Sequence, residues 1–195
     1  MVATRTLILA SSSPYRQALL GRLGLPFRSV SPEIDETPVA GESGAEQAAR
    51  LAQSKAERVA RDCRDALIIG CDQVAIMNGM PLGKPGDRAS AQAQLRLVRG
   101  RRVLFITGLC LLDAVNGVRQ LDVVEYAVVF REYSDAEIDR YLLADAPYDC
   151  SGSFRSEKLG IAMVEYMEGP DPTALVGLPL IRLSRMLREA GVPLP

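Results

Sequence analysis

Ala66-Leu-Ile-Ile-Gly-Cys-Asp-Gln-Val-Ala-Ile-Met-Asn-Gly79 is the stretch on which the fold turns. Its first five residues form a continuous apolar run, the pattern of a strand buried on both faces at the centre of a sheet. The run is expected to end at Cys71-Asp72-Gln73, with Val74 to Met77 continuing as strand and Asn78-Gly79 closing a hairpin. Upstream, Thr6-Leu-Ile-Leu-Ala10 reads as a short buried strand and Tyr15 to Leu23 as a helix. Ser13 is a good N-cap for that helix, and Pro14 suits its first position. Phe27 to Val30 reads as a second strand. Ser31 to Ser43 contains Pro32, Pro38, Gly41 and four acids, and is a loop. Ala45 to Arg61 is a long helix with Ala48, Leu51, Ala52, Ala56 and Val59 on its apolar side.

Downstream, Pro81 to Asp87 reads as a loop and Arg88 to Val98 as a helix. Val103 to Asp113 and Arg119 to Glu132 are strands joined around Asn116-Gly117, a second hairpin signal. Ser134-Asp-Ala-Glu137 is a capping box that starts a helix to about Ala144. Asp145 to Lys158 is a loop, Ile161 to Glu168 a strand, Gly169-Pro-Asp-Pro172 a turn, and Pro179 the start of the last helix. Strand–helix units interleaved with hairpins predict an α/β protein with a mixed sheet and flanking helices. Residues 1–195 show no internal repeat and no linker, so one domain is expected.

Composition narrows the function. Lys and Arg number 23 against 24 Asp and Glu, a net charge of −1, which argues against binding a nucleic-acid polymer through bulk charge. No stretch approaches the roughly 20 apolar residues of a membrane span. The apolar part of Met1 to Ala10 is too short for a signal peptide, so a cytoplasmic protein is expected. Cys63, Cys71, Cys110 and Cys150 form no CxxC pair and read as small buried residues. The chain has no histidine. That excludes Ser-His-Asp triads, Cys-His pairs and His-ligated zinc. A catalytic base must be a carboxylate, lysine, tyrosine or thiolate. A metal would be held by oxygen ligands, as magnesium or manganese is.

Four groups of residues carry candidate chemistry. Ser11-Ser12-Ser13-Pro14-Tyr15-Arg16 lies between a strand and a helix, where free N–H groups, hydroxyls and a guanidinium can hold an anion. It lacks the glycines and lysine of a Walker A loop, and it also reads simply as a serine N-cap with a surface arginine. Asp72 follows an apolar strand, at the kind of strand end where ligand crevices form in open α/β sheets, or it merely caps that end. Lys55 and Lys84 are two of only three lysines in a chain that otherwise meets its positive charge with arginine, which suggests point-charge roles, though each alone also reads as a solvated surface residue. Glu36, in an acidic loop, could supply a second metal ligand or just solvate it. Gly152-Ser-Phe-Arg-Ser-Glu157 and Val176-Gly-Leu-Pro179 read as structural when taken singly.

Read together, these residues resemble the Maf family of nucleoside triphosphate pyrophosphatases. The resemblance runs nearly the whole chain: Leu9-Ala-Ser-Ser-Ser-Pro-Tyr-Arg16 with Leu19-Leu20, Asp35-Glu-Thr-Pro38, Leu51-Ala-Gln-Ser-Lys-Ala56, Gly70-Cys-Asp-Gln73, Gly83-Lys-Pro85, Thr107-Gly108, Ser151-Gly-Ser-Phe154 and Val176-Gly-Leu-Pro-Leu180. It implies an elongated mixed α/β fold similar to inosine triphosphate pyrophosphatases, two lobes around an active-site cleft, and a homodimer. It implies metal-dependent cleavage between the α and β phosphates, giving a monophosphate and pyrophosphate. Carried over, Asp72 matches the catalytic base. Ser11, Ser13, Arg16, Lys55 and Lys84 match phosphate-contacting positions, and Glu36 matches a carboxylate near the metal, with Asp72 either the base or a second metal ligand.

Three positions bear on the substrate. The branch of the family that hydrolyses dTTP and UTP typically has Arg, Thr and Gln where this chain has Tyr15, Gln73 and Glu157, and it carries a histidine absent here. The three residues look like the branch that hydrolyses 7-methyl-GTP, removing modified nucleotides from the pool. Glu157 could accept both N1–H and N2–H₂ of guanine. Tyr15 could stack on a base made cationic by N7 methylation, worth about 0.5–2 kcal/mol. Gln73 could bond the ring or ribose. The alternatives are a dTTP/UTP pyrophosphatase and a nucleotide-binding regulator of cell division. Glu157 also reads as a surface acid paired with Arg155 or Lys158.

Overall fold

In the computed structural model, which describes residues 5–195, the stretch quoted first is one unbroken 12-residue strand, β3 (Ala66–Met77). The expected break at Cys71-Asp72-Gln73 is absent. Asp72 pairs with Gly108 and Gln73 with Thr107 on the neighbouring strand β5 (Arg102–Asp113), so the ladder carries the polar pair through the middle of the strand. Asp72 therefore sits mid-strand, not after a strand end.

The other edge of β3 is shared. β1 (Thr6–Ala10) pairs with it in parallel from Ala66 to Gly70, and β4 (Met80–Leu82) pairs antiparallel from Ala75 to Met77. Between those two partners, from Cys71 to Val74, no strand among the described residues pairs with β3 on that edge. A gap in the sheet thus lies beside Asp72 and Gln73. With β2 (Phe27–Ser29), β6 (Arg119–Phe130) and β7 (Val164–Glu168) the sheet has seven strands in the order β2-β1-β3-β5-β6-β7, β4 pairing β3 off that path. The β1 pairings are parallel and the rest antiparallel, which is the mixed sheet expected.

The core divides along the long strands. On one face, Leu7, Leu9, Leu67, Ile69 and Cys71 pack with Leu19 and Leu20 of α1 (Pro14–Gly21) and with Leu183, Met186 and Leu187 of α6 (Leu180–Glu189). Farther along the same face, Ala75, Met77, Phe105 and Val128 pack with α3 (Arg88–Val98), α4 (Asp135–Asp145) and Phe154. Gln73 falls between the two clusters, which are the two lobes. On the opposite face lies α2 (Gly44–Ala60), whose Ala52, Ala56 and Val59 meet Ile8, Ile68 and Cys110. Each large side chain so buried contributes about 1.5–3 kcal/mol.

Local signals behaved as read for most elements. Ser13 caps α1 with Pro14 in its first turn, and Ser134 with Glu137 forms the capping box of α4. Several expectations need correction. β4 occupies the start of a segment read as loop. β7 begins at Val164, because 3₁₀ turns span Leu159–Met163. A short helix, α5 (Pro172–Val176), follows the 169–172 turn. Asp171 caps it and also accepts from Ile181 N at 2.8 Å, while Thr173 Oγ1 accepts from Leu180 N at 2.8 Å, so one cap serves α5 and α6. Cys71 and Cys110 are buried as expected, but Cys63 and Cys150 are half-buried; all four are free thiols. Among the described residues no helix is long and apolar enough to cross a membrane. Met1 to Thr4, the first part of the segment weighed as a leader, lie outside the described residues.

Candidate active site

A cleft of about 620 Å³ opens at the gap beside β3. Ser11, Ser13, Tyr15, Arg16, Glu36, Lys55, Asp72, Gln73, Lys84 and Glu157 all line it. Residues from six separate segments are thus brought to one site, and the volume suits a nucleotide-sized ligand.

Two glycines set how closely α2 lies on the sheet beside the cleft. A Cβ on Gly70 would stand 2.0 Å from the carbonyl oxygen of Ala52, and one on Gly108 would stand 2.1 Å from that of Ala48. The backbone of α2 therefore rides directly on β3 and β5. One turn beyond Ala52, the buried Lys55 reaches Asp72 Oδ1 with its Nζ at 2.6 Å and Glu36 Oε1 at 2.7 Å. One ammonium joins a buried carboxylate from β3 to a half-exposed one from the 31–43 loop. Burial works to raise the Glu36 carboxyl. The hydrogen bond and charge of Lys55 outweigh it, with help from Lys84 and Arg16, and hold Glu36 below the usual range.

The turn into α1 forms a second part of the site. Ser11 Oγ accepts from Ser13 N at 3.1 Å, and Ser13 Oγ accepts from Arg16 N at 3.4 Å. Both hydroxyls act as acceptors toward the backbone, so their hydrogens remain available to an anion at this helix N-terminus. Arg16 is held by its Nε, which donates to Gly177 O at 2.9 Å and leaves the two terminal amino groups uncommitted to that bond. The same carbonyl accepts the Cys71 thiol at 2.9 Å; burial pushes that thiol up to about 11, so it keeps its proton. Lys84 is exposed at the rim.

The three substrate-directed residues differ in their surroundings. Glu157 is exposed to the cleft and takes no ion pair among the described residues, because Arg155 pairs with Asp149 instead. The reading of Glu157 as a paired surface acid therefore does not hold. Tyr15 has the Arg155 guanidinium 5.4 Å from its ring centroid. Burial raises its hydroxyl pKa, so the ring is a neutral phenol. Gln73 spends its amide nitrogen on protein: Nε2 lies 2.8 Å from Ala174 O, 3.1 Å from Leu175 O and 3.1 Å from Thr107 Oγ1.

A family model described as Maf-like protein matches residues 6–190. The chain belongs to the Maf family. This Maf protein is 56% identical over 188 residues to the 7-methyl-GTP pyrophosphatase of Ralstonia nicotianae, covering 96% of this chain and 97% of that protein. It is 55% identical to the 7-methyl-GTP pyrophosphatase of Methylobacillus flagellatus, over 95% and 97% of the two chains. The one from Nitrosococcus oceani is 50% identical, over 98% and 96%. Among solved structures, the Staphylococcus aureus Ham1 protein aligns with 67% of this chain and 73% of its own, at 18% identity and a TM-score of 0.43.

Sequence reasoning missed the support behind this Maf protein's site: Arg155 against Tyr15, and the ties from Gln73 and Thr107 to α5. Thr107-Gly108 and Val176-Gly177 stood among the matching motifs, but nothing in their spacing says that they meet. Among the described residues no cluster of three or more metal-ligating side chains occurs. Glu36 and Asp72 are the carboxylates gathered by Lys55. Two carboxylates suit a hard divalent cation whose other ligands are phosphate oxygens and water.

Proposed function

We propose that this protein hydrolyses 7-methyl-GTP between its α and β phosphates, giving 7-methyl-GMP and pyrophosphate. The observation that carries the proposal is one cleft holding an anion cradle together with the unpaired Glu157 carboxylate and the Tyr15 ring. The names of the relatives, at 50–56% identity over nearly the whole chain, support the same substrate.

The chemistry follows from the donors present. The Ser11 and Ser13 hydroxyls, Arg16, Lys55 and Lys84 bind the triphosphate and offset the charge that grows on the leaving pyrophosphate. Lys55 occupies only Oδ1 of Asp72. The other oxygen takes a proton from the water that attacks the α phosphorus, and the bond from that phosphorus to the bridging oxygen breaks. Glu36 and Asp72 would hold a divalent cation, magnesium or manganese, which neutralises phosphate charge when bound. Glu157 accepts two guanine N–H groups, and a uracil or thymine carbonyl would be repelled there. The proposal extends to a homodimer acting in the cytoplasm on a free nucleotide, with no nucleic-acid polymer and no membrane as partner, as the family resemblance implies.

The test is pyrophosphate release with magnesium across 7-methyl-GTP, GTP, dTTP, UTP and CTP, with Asp72→Asn as control. Preference for 7-methyl-GTP, lost in the variant, is the expected result. Preference for dTTP or UTP refutes the reading of Tyr15 and Glu157. A folded protein that turns over none of these refutes hydrolysis and favours a regulator.

A further inference from the structure

Gln73 lies in the uncovered run of β3, on the face between the two core clusters. Its side chain is built into the protein more firmly than a ligand contact requires. Two carbonyl oxygens, of Ala174 and Leu175, lie within 3.1 Å of Nε2, so this end of the amide must be the donor. The fully buried Thr107 hydroxyl donates to Ala174 O as well, at 3.0 Å. The amide has two hydrogens and three acceptors around it, so its nitrogen end is spent on protein and only Oε1 is left to accept from a ligand.

What these bonds hold is α5. A five-residue helix does not sustain itself, and its last carbonyls have no partners within the helix. Gly177 N donates to Ala174 O at 2.9 Å, Gln73 and Thr107 add side-chain donors to the same oxygen, and Gln73 also reaches Leu175 O. Directly after α5, the chain turns at Gly177 with φ +114°, a conformation that favours glycine. That turn presents the Gly177 carbonyl to Arg16 Nε at 2.9 Å. A continuous path of hydrogen bonds and short backbone therefore runs from Gln73 through α5 and Gly177 to Arg16.

We propose that Gln73 is a positioning residue for the triphosphate, acting through α5 and the Gly177 carbonyl to fix the Arg16 guanidinium in the cleft. The inference rests on the reading of Arg16 as a phosphate contact, and it assigns the Nε2 end of Gln73 to α5, with Oε1 alone left for a base or ribose. Gln suits the task because it donates two hydrogens from a long side chain. A carboxylate of the same length would face two carbonyl oxygens and be repelled.

Inorganic tripolyphosphate has no base and separates the two roles. Its affinity, in magnesium buffer, is measured by calorimetry for the wild type, Gln73→Leu, Arg16→Ala and the double variant, at a temperature where circular dichroism shows all four folded. Expected are a loss of about tenfold in Gln73→Leu, as for one well-placed hydrogen bond, and no further loss when Gln73→Leu is added to Arg16→Ala. KM should rise for both 7-methyl-GTP and dTTP. Unchanged tripolyphosphate affinity with a selective loss on 7-methyl-GTP would leave Gln73 a base contact alone and overturn the proposal. Additive losses would also overturn it, since they mean that Gln73 does not act through Arg16. No effect of Arg16→Ala alone would remove the phosphate reading and the inference with it, whereas a loss in Arg16→Ala without one in Gln73→Leu would remove only the inference. If Gln73→Leu does not fold, Thr107→Val removes the other side-chain tie to the Ala174 carbonyl and is judged by the same outcomes.

Discussion

Replacing Lys55 with methionine keeps most of the side chain's length and its apolar stem, and removes the ammonium. The structure sets the size of the effect. The Lys55 and Asp72 side chains are 7% and 11% exposed, whereas that of Glu36 is 52% exposed. Removing one partner of a buried pair costs about 3–5 kcal/mol, because the remaining charge is left in a poorly solvated place. The half-exposed Glu36 arm is worth at most about 1 kcal/mol. Lys55→Met should therefore lose about 3–5 kcal/mol, and Glu36→Gln no more than about 1 kcal/mol. Urea unfolding followed by circular dichroism reads both, in chelator so that no divalent cation replaces the ammonium. The slope m should stay the same while the midpoint falls. Adding Asp72→Asn to Lys55→Met should recover most of the loss, since a neutral amide needs no counter-ion. If Lys55→Met costs no more than Glu36→Gln, or if the double variant is weaker than the single, Lys55 is not the counter-charge of Asp72.

Gly108→Ala would place a Cβ 2.1 Å from the Ala48 carbonyl oxygen, so α2 must lift; a loss of about 1–3 kcal/mol or more in urea, with reduced turnover as Lys55 moves from Asp72, is expected. Glu137 is held at about 2, against 4.5 unperturbed, chiefly by the backbone N–H of Ser134 and then by Arg131. Its stabilisation is complete above the unfolded value and is lost as pH falls toward about 2, so the urea midpoints of wild type and Glu137→Gln should differ most near neutrality and converge in acid. Glu157→Gln should lower 7-methyl-GTP use more than dTTP use, by about tenfold for a lost charge-assisted contact, and a uniform loss across bases would sink the base-reading role. Tyr15→Ala should raise KM for 7-methyl-GTP by several-fold more than for GTP, a difference that equal effects on the two would remove.

Much of the fold was legible because local and tertiary demands agreed. Ser13-Pro14, Ser134-x-x-Glu137 and Asn116-Gly117 specify caps and a turn through their own backbone chemistry, and the structure uses each as read. The errors fall where a distant neighbour decides. Cys71-Asp72-Gln73 looks like a strand end because polar residues interrupt an apolar run, and only the β5 ladder keeps it extended. The 172–176 segment is too short for any helical period to be visible, and Gln73, a hundred residues away, completes its hydrogen bonds. The candidate residues were legible as a set, through motifs. Their pairings were not: no spacing rule relates Lys55 to Glu36, or Arg155 to Tyr15.

The difference in strand length explains why those motifs converge. β1 has five residues and β3 twelve, and both start level, Thr6 opposite Ala66. β1 must stop at Ala10 while β3 continues, so the chain leaving β1 turns into Ser11–Arg16 beside the part of β3 that carries Asp72. The hairpin at Asn78-Gly79 returns β4 to the same edge and then delivers Lys84 from the other side of the gap. On the face that carries the Asp72 side chain, Gly70 and Gly108 let α2 approach closely enough for a buried lysine to reach Asp72. The cleft is therefore a consequence of register and not of loops added to a finished sheet. Two or three more strand-forming residues in β1 would carry the pairing past Gly70 and cover Asp72 with another strand, closing the site while leaving each candidate side chain in the sequence.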